Sequence, residues 1–229
     1  MGSEKRAAEG GFMRIGVMAF AAALFSLAPA FAAPLSGGQA REQLAGPTYP
    51  DHQPWKMITN ASDARHWQKE WIPADQQVES FKDILSAQAF IGLANTDPAT
   101  FLRGMLAHVP ADCDHVSVNG PKATSENGVD VAYGQFYCGQ VKGQNFGTHS
   151  FIKVIRGADA VYAINRDFRT PVSAMGNVMT FDKDHAADAM ALLKGESAAN
   201  KYLEDIHLCS GNTPGCPMAP SAATRRVLY

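Results

Sequence analysis

The chain has 229 residues, 20 of them basic and 22 acidic, for a formal net charge of −2 at pH 7. That balance, with no run of five like charges, argues against nucleic acid or an anionic lipid surface as an obligate partner, since both reward a basic patch. The length suits one domain with a core of its own.

In chain order, the first feature is an export signal. Met13-Arg14 is a short basic start, Ile15 to Leu27 is uncharged and mostly apolar, and Ala28-Pro29-Ala30-Phe31-Ala32 ends in the small-x-small pattern that signal peptidase reads. The apolar stretch is 13 residues long, whereas a bilayer span needs about 20. The expectation is a cleaved signal over 1–32 with its true start at Met13, no stable membrane anchor, and a periplasmic or secreted destination. No cysteine lies near the cleavage point to accept a lipid.

Residues 33–54 are rich in Gly, Pro, Gln and Ala and read as a flexible lead-in. The folded body is expected over 55–209, followed by a Pro-rich tail over 210–229. Within the body, Trp55 to Thr59 and His66 to Ile72 read as strands around the turn residues Asn60-Ala61-Ser62-Asp63. Val78, Phe81, Leu85 and Ala89 recur every three to four residues and predict a helix over 76–91, capped by Asp75. A second helix opens at Asp97-Pro98 and stops at Pro110.

Val116 to Val118 and Val129 to Cys138 then read as strands joined by a polar loop over 119–128. Ser150 to Arg156 and Ala160 to Phe168 flank Gly157-Ala158-Asp159, which has the chemistry of a three-residue hairpin loop. A third helix opens at Asp182 or Asp184, carries an apolar stripe of Ala186, Met190 and Leu193, and ends at Gly195. A short fourth helix carries Tyr202, Leu203 and Ile206. Hairpin-joined strands and grouped helices predict a single α+β domain, an antiparallel sheet with helices packed on one face.

All four cysteines lie beyond the signal, and an even count in an exported chain reads first as disulfides. A hairpin centred between Ser125 and Glu126 places position 113 opposite 138. The expected bonds are therefore Cys113–Cys138 across the hairpin and Cys209–Cys216 as a local staple.

Trp67-x-x-x-Trp71-Ile72-Pro73, followed by Val78-Glu79-Ser80-Phe81, resembles a group of uncharacterised bacterial exported proteins. Cys113, Cys138 and Gly157-x-Asp159-x-x-Tyr162 match that group's later strands. The element order is also similar to PsbP-like domains, the extrinsic photosystem family. The resemblance covers about residues 55–170 and implies a fold, with no catalytic residue to carry over.

Five side chains stand out as candidate ligand-binding residues. Arg166 and Arg169 end the hairpin strand, with Arg156 across its turn, and guanidinium groups suit a carboxylate or phosphate. The competing reading is a solvated strand end paired to Asp167 or Asp159. Trp67 and Trp71 share a strand face, either as core or as an aromatic wall for a ligand.

His207, Cys209, Cys216 and Met218 form an alternative soft-metal set for copper or zinc, although their spacing also suits a plain disulfide loop. His108, Cys113 and His115 lose their nucleophile if Cys113 is bonded. His149-Ser150 lacks the serine-hydrolase elbow, and strand alternation puts the two on opposite faces. No metal, haem or nucleotide fingerprint is present, so no cofactor and no catalytic residue is expected. The sequence reading is an exported, non-catalytic α+β domain that binds a small ligand or an envelope partner. A soft-metal protein and an unrecognised hydrolase are the alternatives.

Overall fold

A computed structural model describes residues 42–46, 49–50, 53–174 and 186–210. The expected signal, most of the lead-in and most of the tail lie outside them.

Seven strands form one antiparallel sheet. They are β2 (Trp55–Ser62), β3 (His66–Pro73), β4 (Asp83–Ile91), β5 (Cys113–Glu126), β6 (Val129–Val141), β7 (Gly147–Arg156) and β8 (Ala160–Thr170), in the order β2-β3-β4-β8-β7-β6-β5. Two helices, α1 (Pro98–Asp112) and α2 (Ala186–Asp205), pack against it. A separate two-stranded sheet pairs β1 (Glu42–Ala45) with β9 (His207–Ser210). The α+β class, the antiparallel sheet and the single body agree with the sequence reading.

The pleat shows which face each helix takes, and it corrects the expectation that both pack on one face. A Cβ on Gly134 would meet Leu102 and Leu106 of α1, so α1 covers the even-numbered side of β6. Lys153 and His149, on the alternate side of β7, bond to α2. With period-two side chains, the helices therefore lie on opposite faces.

The predicted helix over 76–91 is instead a loop followed by β4. Asp83–Ile91 is buried almost continuously because it sits near the sheet's middle with both faces covered. Leu85 and Ala89 face the α2-side core, while Phe90 meets Phe101 of α1 at 4.9 Å between ring centroids. A doubly buried strand has no alternation, and its apolar run mimics a helical stripe.

Helix α1 begins as expected, with Asp97 accepting from the Thr100 amide at 2.7 Å. It runs past Pro110 to Asp112, however. A proline in the last turn removes one bond without ending the helix.

The strand pair β5–β6 is longer than expected and turns at Asn127-Gly128, both with positive φ. This is the Asn-Gly hairpin turn, whose backbone twist matches that of the strands. The hairpin centre thus lies two residues later than the sequence reading placed it. The Cys113–Cys138 disulfide is nevertheless formed. Cys138 pairs in register with Val116, and the left-handed backbone at His115 (φ 59°) lies between the two partners.

Two further differences concern the chain ends. Part of the expected lead-in is β1, and Glu42 Oε1 accepts from the Ala158 amide at 2.7 Å, tying it to the β7–β8 turn. The third and fourth predicted helices are one helix, α2, which continues through Gly195. A Cβ at that position would stand 2.9 Å from the Phe168 ring, so glycine here lets the helix approach the sheet. Met190 and Leu193, expected to face the core, are 67% and 54% exposed. The buried side of α2 is Ala199, Tyr202 and Leu203, joined by Ile206 just beyond it.

Lys153 fixes the far end of α2. Its fully buried Nζ donates to the carbonyls of Leu203 (2.9 Å) and Ile206 (2.6 Å) and pairs with Glu126 at 2.7 Å. A helix leaves its last carbonyls unpartnered, and a cation there is favourable. Burial holds this amine below the usual lysine range, an effect that Glu126 opposes.

A candidate anion-binding cleft

Where β8 ends and β4 begins, the chain leaves a cleft of about 650 Å³. Its walls come from three places. The loop and strand start supply Gln76, Lys82 and Asp83; β8 and its exit supply Arg166, Phe168, Arg169, Thr170 and Pro171; α2 supplies Ala191, Leu192, Lys194 and Gly195. Gln53 completes the lining. Four of these residues are cationic and one is anionic, in a chain that is acidic overall.

The cations have different roles. Arg166 is 1% exposed and forks onto Asp83, with Nε–Oδ1 at 3.0 Å and Nη2–Oδ2 at 2.6 Å. Its guanidinium also lies over Phe168 and Trp55, at 4.9 and 5.6 Å to the ring centroids. Arg166 and Asp83 therefore form a neutral, rigid floor. Arg169 is held differently, between Phe81 (3.8 Å) and Phe146 (4.2 Å), with Nη1 donating to the Glu79 carbonyl at 3.2 Å. No carboxylate among the described residues pairs with it within salt-bridge distance. Neither Phe81 nor Phe146 lines the cleft, and along the pleat the Arg169 side chain takes the sheet face opposite that of Arg166 and Phe168.

Of the five ligand-binding candidates, Arg166 and Arg169 both line the cleft but stand on opposite faces of β8, and the others lie elsewhere. Arg156 pairs with Val161 near the hairpin turn and bonds Asp130 at 2.5 Å. Arg166 lies five residues further along β8, about 17 Å away at the strand rise. Trp71 is 3% exposed and part of the core. Trp67 is half-buried, 6.4 Å from the Tyr162 ring. Neither tryptophan lines the cleft. Lys82, Gln76 and Lys194 were not singled out from sequence. They lie on a loop and a helix distant in the chain, and only the fold assembles them.

The other clusters resolve as follows. Cys209 is disulfide-bonded, and its expected partner Cys216 lies outside the described residues, as does Met218. A bonded sulfur is no thiolate ligand, so His207 keeps little of the proposed soft-metal set. Among the described residues no group of three potential metal ligands occurs, and no helix is long and apolar enough to cross a membrane. His149 bonds Glu196 of α2 at 2.6 Å, while Ser150 points to the other face, beside Asp167.

That other face carries a buried polar row. Glu70, 3% exposed, accepts from Thr59 Oγ1 at 2.6 Å and Gln68 Nε2 at 2.9 Å. Asn165 Nδ2 donates to Asp167 Oδ2 at 2.7 Å. Burial pushes the Asp167 carboxyl up to about 7, against the lowering effect of hydrogen bonds from Ser150 and Asn165.

No family model and no curated protein sequence matches this chain. Among solved structures it is similar to one described as the crystal structure of LpqN, involved in cell envelope biogenesis of Mycobacterium tuberculosis. The match has 19% identity and a TM-score of 0.38, and covers 73% of this chain and 83% of that one.

Proposed function

We propose that this chain is an exported, non-catalytic domain that binds a small anionic ligand in the cleft at the β8–β4 end of the sheet. The observation that carries the reading is the cleft's lining, four cationic residues against one carboxylate, with Lys194 of α2 exposed at its mouth. Export is supported by the signal-like segment over 1–32 and by a disulfide chemistry suited to an oxidising compartment. Pockets of this volume take small molecules, with an apolar lining and a few placed polar groups.

Binding stabilises the native state by mass action, so a thermal-shift panel tests the reading. Inorganic phosphate, citrate and succinate should raise the melting temperature of the mature protein. Arg169→Gln/Lys194→Ala should remove most of that rise. An equal response to chloride at matched ionic strength would point to screening alone and overturn it.

A further inference from the structure

Much of the cleft's polar lining is engaged within the protein. Arg166 and Asp83 bond each other, and Gln76 Oε1 accepts from the Lys82 amide at 2.6 Å. Thr170 differs. It lines the cleft and is 3% exposed, and its Oγ1 is sealed from solvent without a hydrogen bond. Along β8 it shares the pleat side of Arg166 and Phe168, where Gly195 of α2 meets the Phe168 ring.

The fold makes room for this hydroxyl. Thr170 pairs in register with Gly147, and a Cβ at that glycine would stand 2.6 Å from Oγ1. Any side chain at 147 would collide with it. A buried hydroxyl without a partner costs free energy and calls for a reason. In the wall of a ligand cleft, the ligand supplies that reason.

We infer that Thr170 is a specificity-determining residue of the cleft, its hydroxyl donating to an oxygen of the bound carboxylate or phosphate. A turn about χ1 moves Oγ1 from one staggered position to the next and brings it to the ligand. Lys194, exposed at the mouth, supplies charge with little direction, because an ammonium is a compact point charge. The threonine hydroxyl, on a stiff β-branched side chain, supplies the direction. Together they select an oxyanion over a halide. The inference rests on the anion reading above and names the donor that gives it selectivity.

Calorimetric titration of citrate and of inorganic phosphate into the mature protein, Thr170→Val and Thr170→Ser tests this. Denaturation midpoints of the three proteins are measured without ligand. Thr170→Val should bind whichever anion the wild type takes at least about tenfold more weakly, the loss expected for one hydrogen bond to a charged group. Its ligand-free midpoint should equal or exceed that of the wild type, because the hydroxyl it removes had no partner in the protein. Thr170→Ser keeps the donor and should recover most of the affinity.

Equal affinity in Thr170→Val and the wild type overturns the inference and leaves the anion reading standing. A Thr170→Val midpoint clearly below the wild type, or Thr170→Ser binding as weakly as Thr170→Val, overturns it as well. If neither anion binds the wild type, both readings fall.

Discussion

Arg166, buried at the centre of the sheet, meets Asp83 of β4 through two parallel bonds of 3.0 and 2.6 Å. This pair joins β8 to the start of β4 and sets the floor from which the cleft's walls rise. Because Arg166 is neutralised by Asp83, the exposed cation that the cleft offers a ligand is Lys194 of α2.

Breaking one side of that pair leaves a buried, uncompensated charge. Asp83→Ala should cost about 3–5 kcal/mol, read as a lower midpoint in chemical denaturation. Replacing both partners with apolar residues, as Asp83→Leu/Arg166→Met, should cost markedly less than the single change. A double variant as damaged as the single one would show that the pair contributes more than mutual neutralisation.

Lys153 offers a second test of how the fold holds α2 over the cleft. Lys153→Met removes the donor to two carbonyls at the helix end and leaves Glu126 without its cationic partner. A loss of roughly 2–4 kcal/mol follows from unsatisfied buried acceptors and a broken ion pair. Hydrogen exchange should quicken in the last turn of α2 before it quickens in β7. Uniform acceleration across the molecule would contradict the anchoring role.

Asp167 predicts a pH dependence. Its carboxyl is raised in the folded state to about 7 from an ordinary value of 3.8. The folded protein therefore holds a proton between those values that the unfolded chain has lost. Stability from this group is full below pH 4 and falls as pH rises through about 7. Asp167→Asn should match the wild type near pH 4 and exceed it near pH 8 by a few kcal/mol at most. Denaturation midpoints at the two pH values check this, and identical profiles for the two proteins would refute it.

The Cys113–Cys138 bond closes a separation of 25 residues. Loop entropy gives it a contribution of roughly 3–4 kcal/mol. Cys113→Ser/Cys138→Ser should lower the denaturation midpoint accordingly while far-UV circular dichroism stays native. Intact-mass and peptide mapping of the wild type should recover the 113–138 link, and a 113–209 link would contradict it.

Legibility in the sequence followed physical cause. The hairpin at Gly157-Ala158-Asp159, the start of α1 at Asp97-Pro98 and the Cys113–Cys138 bond each rest on local chemistry, and each was readable. The strand β4 was not, because burial on both faces erased its alternation. Gly195 was misread because its purpose is tertiary, the close approach of α2 to Phe168. The β1–β9 pairing joins the two ends of the described chain, and no local pattern announces such a contact. Asn127-Gly128 did carry a readable signal, the hairpin dipeptide that would have placed the turn correctly. At the site, Arg166 and Arg169 were picked out by type, while the partners that separate their roles, Asp83 for one and Phe81 with Phe146 for the other, became visible only in the fold.

The central claim is that its cationic lining makes this cleft an anion site. Titration calorimetry of citrate into the mature protein at low ionic strength, repeated with Arg169→Gln/Lys194→Ala, addresses it most directly. The account predicts saturable one-site binding that weakens at least about tenfold in the variant, the loss expected for one or more charge-assisted hydrogen bonds. Binding of equal strength in the two proteins, or no saturable heat in either, would contradict it.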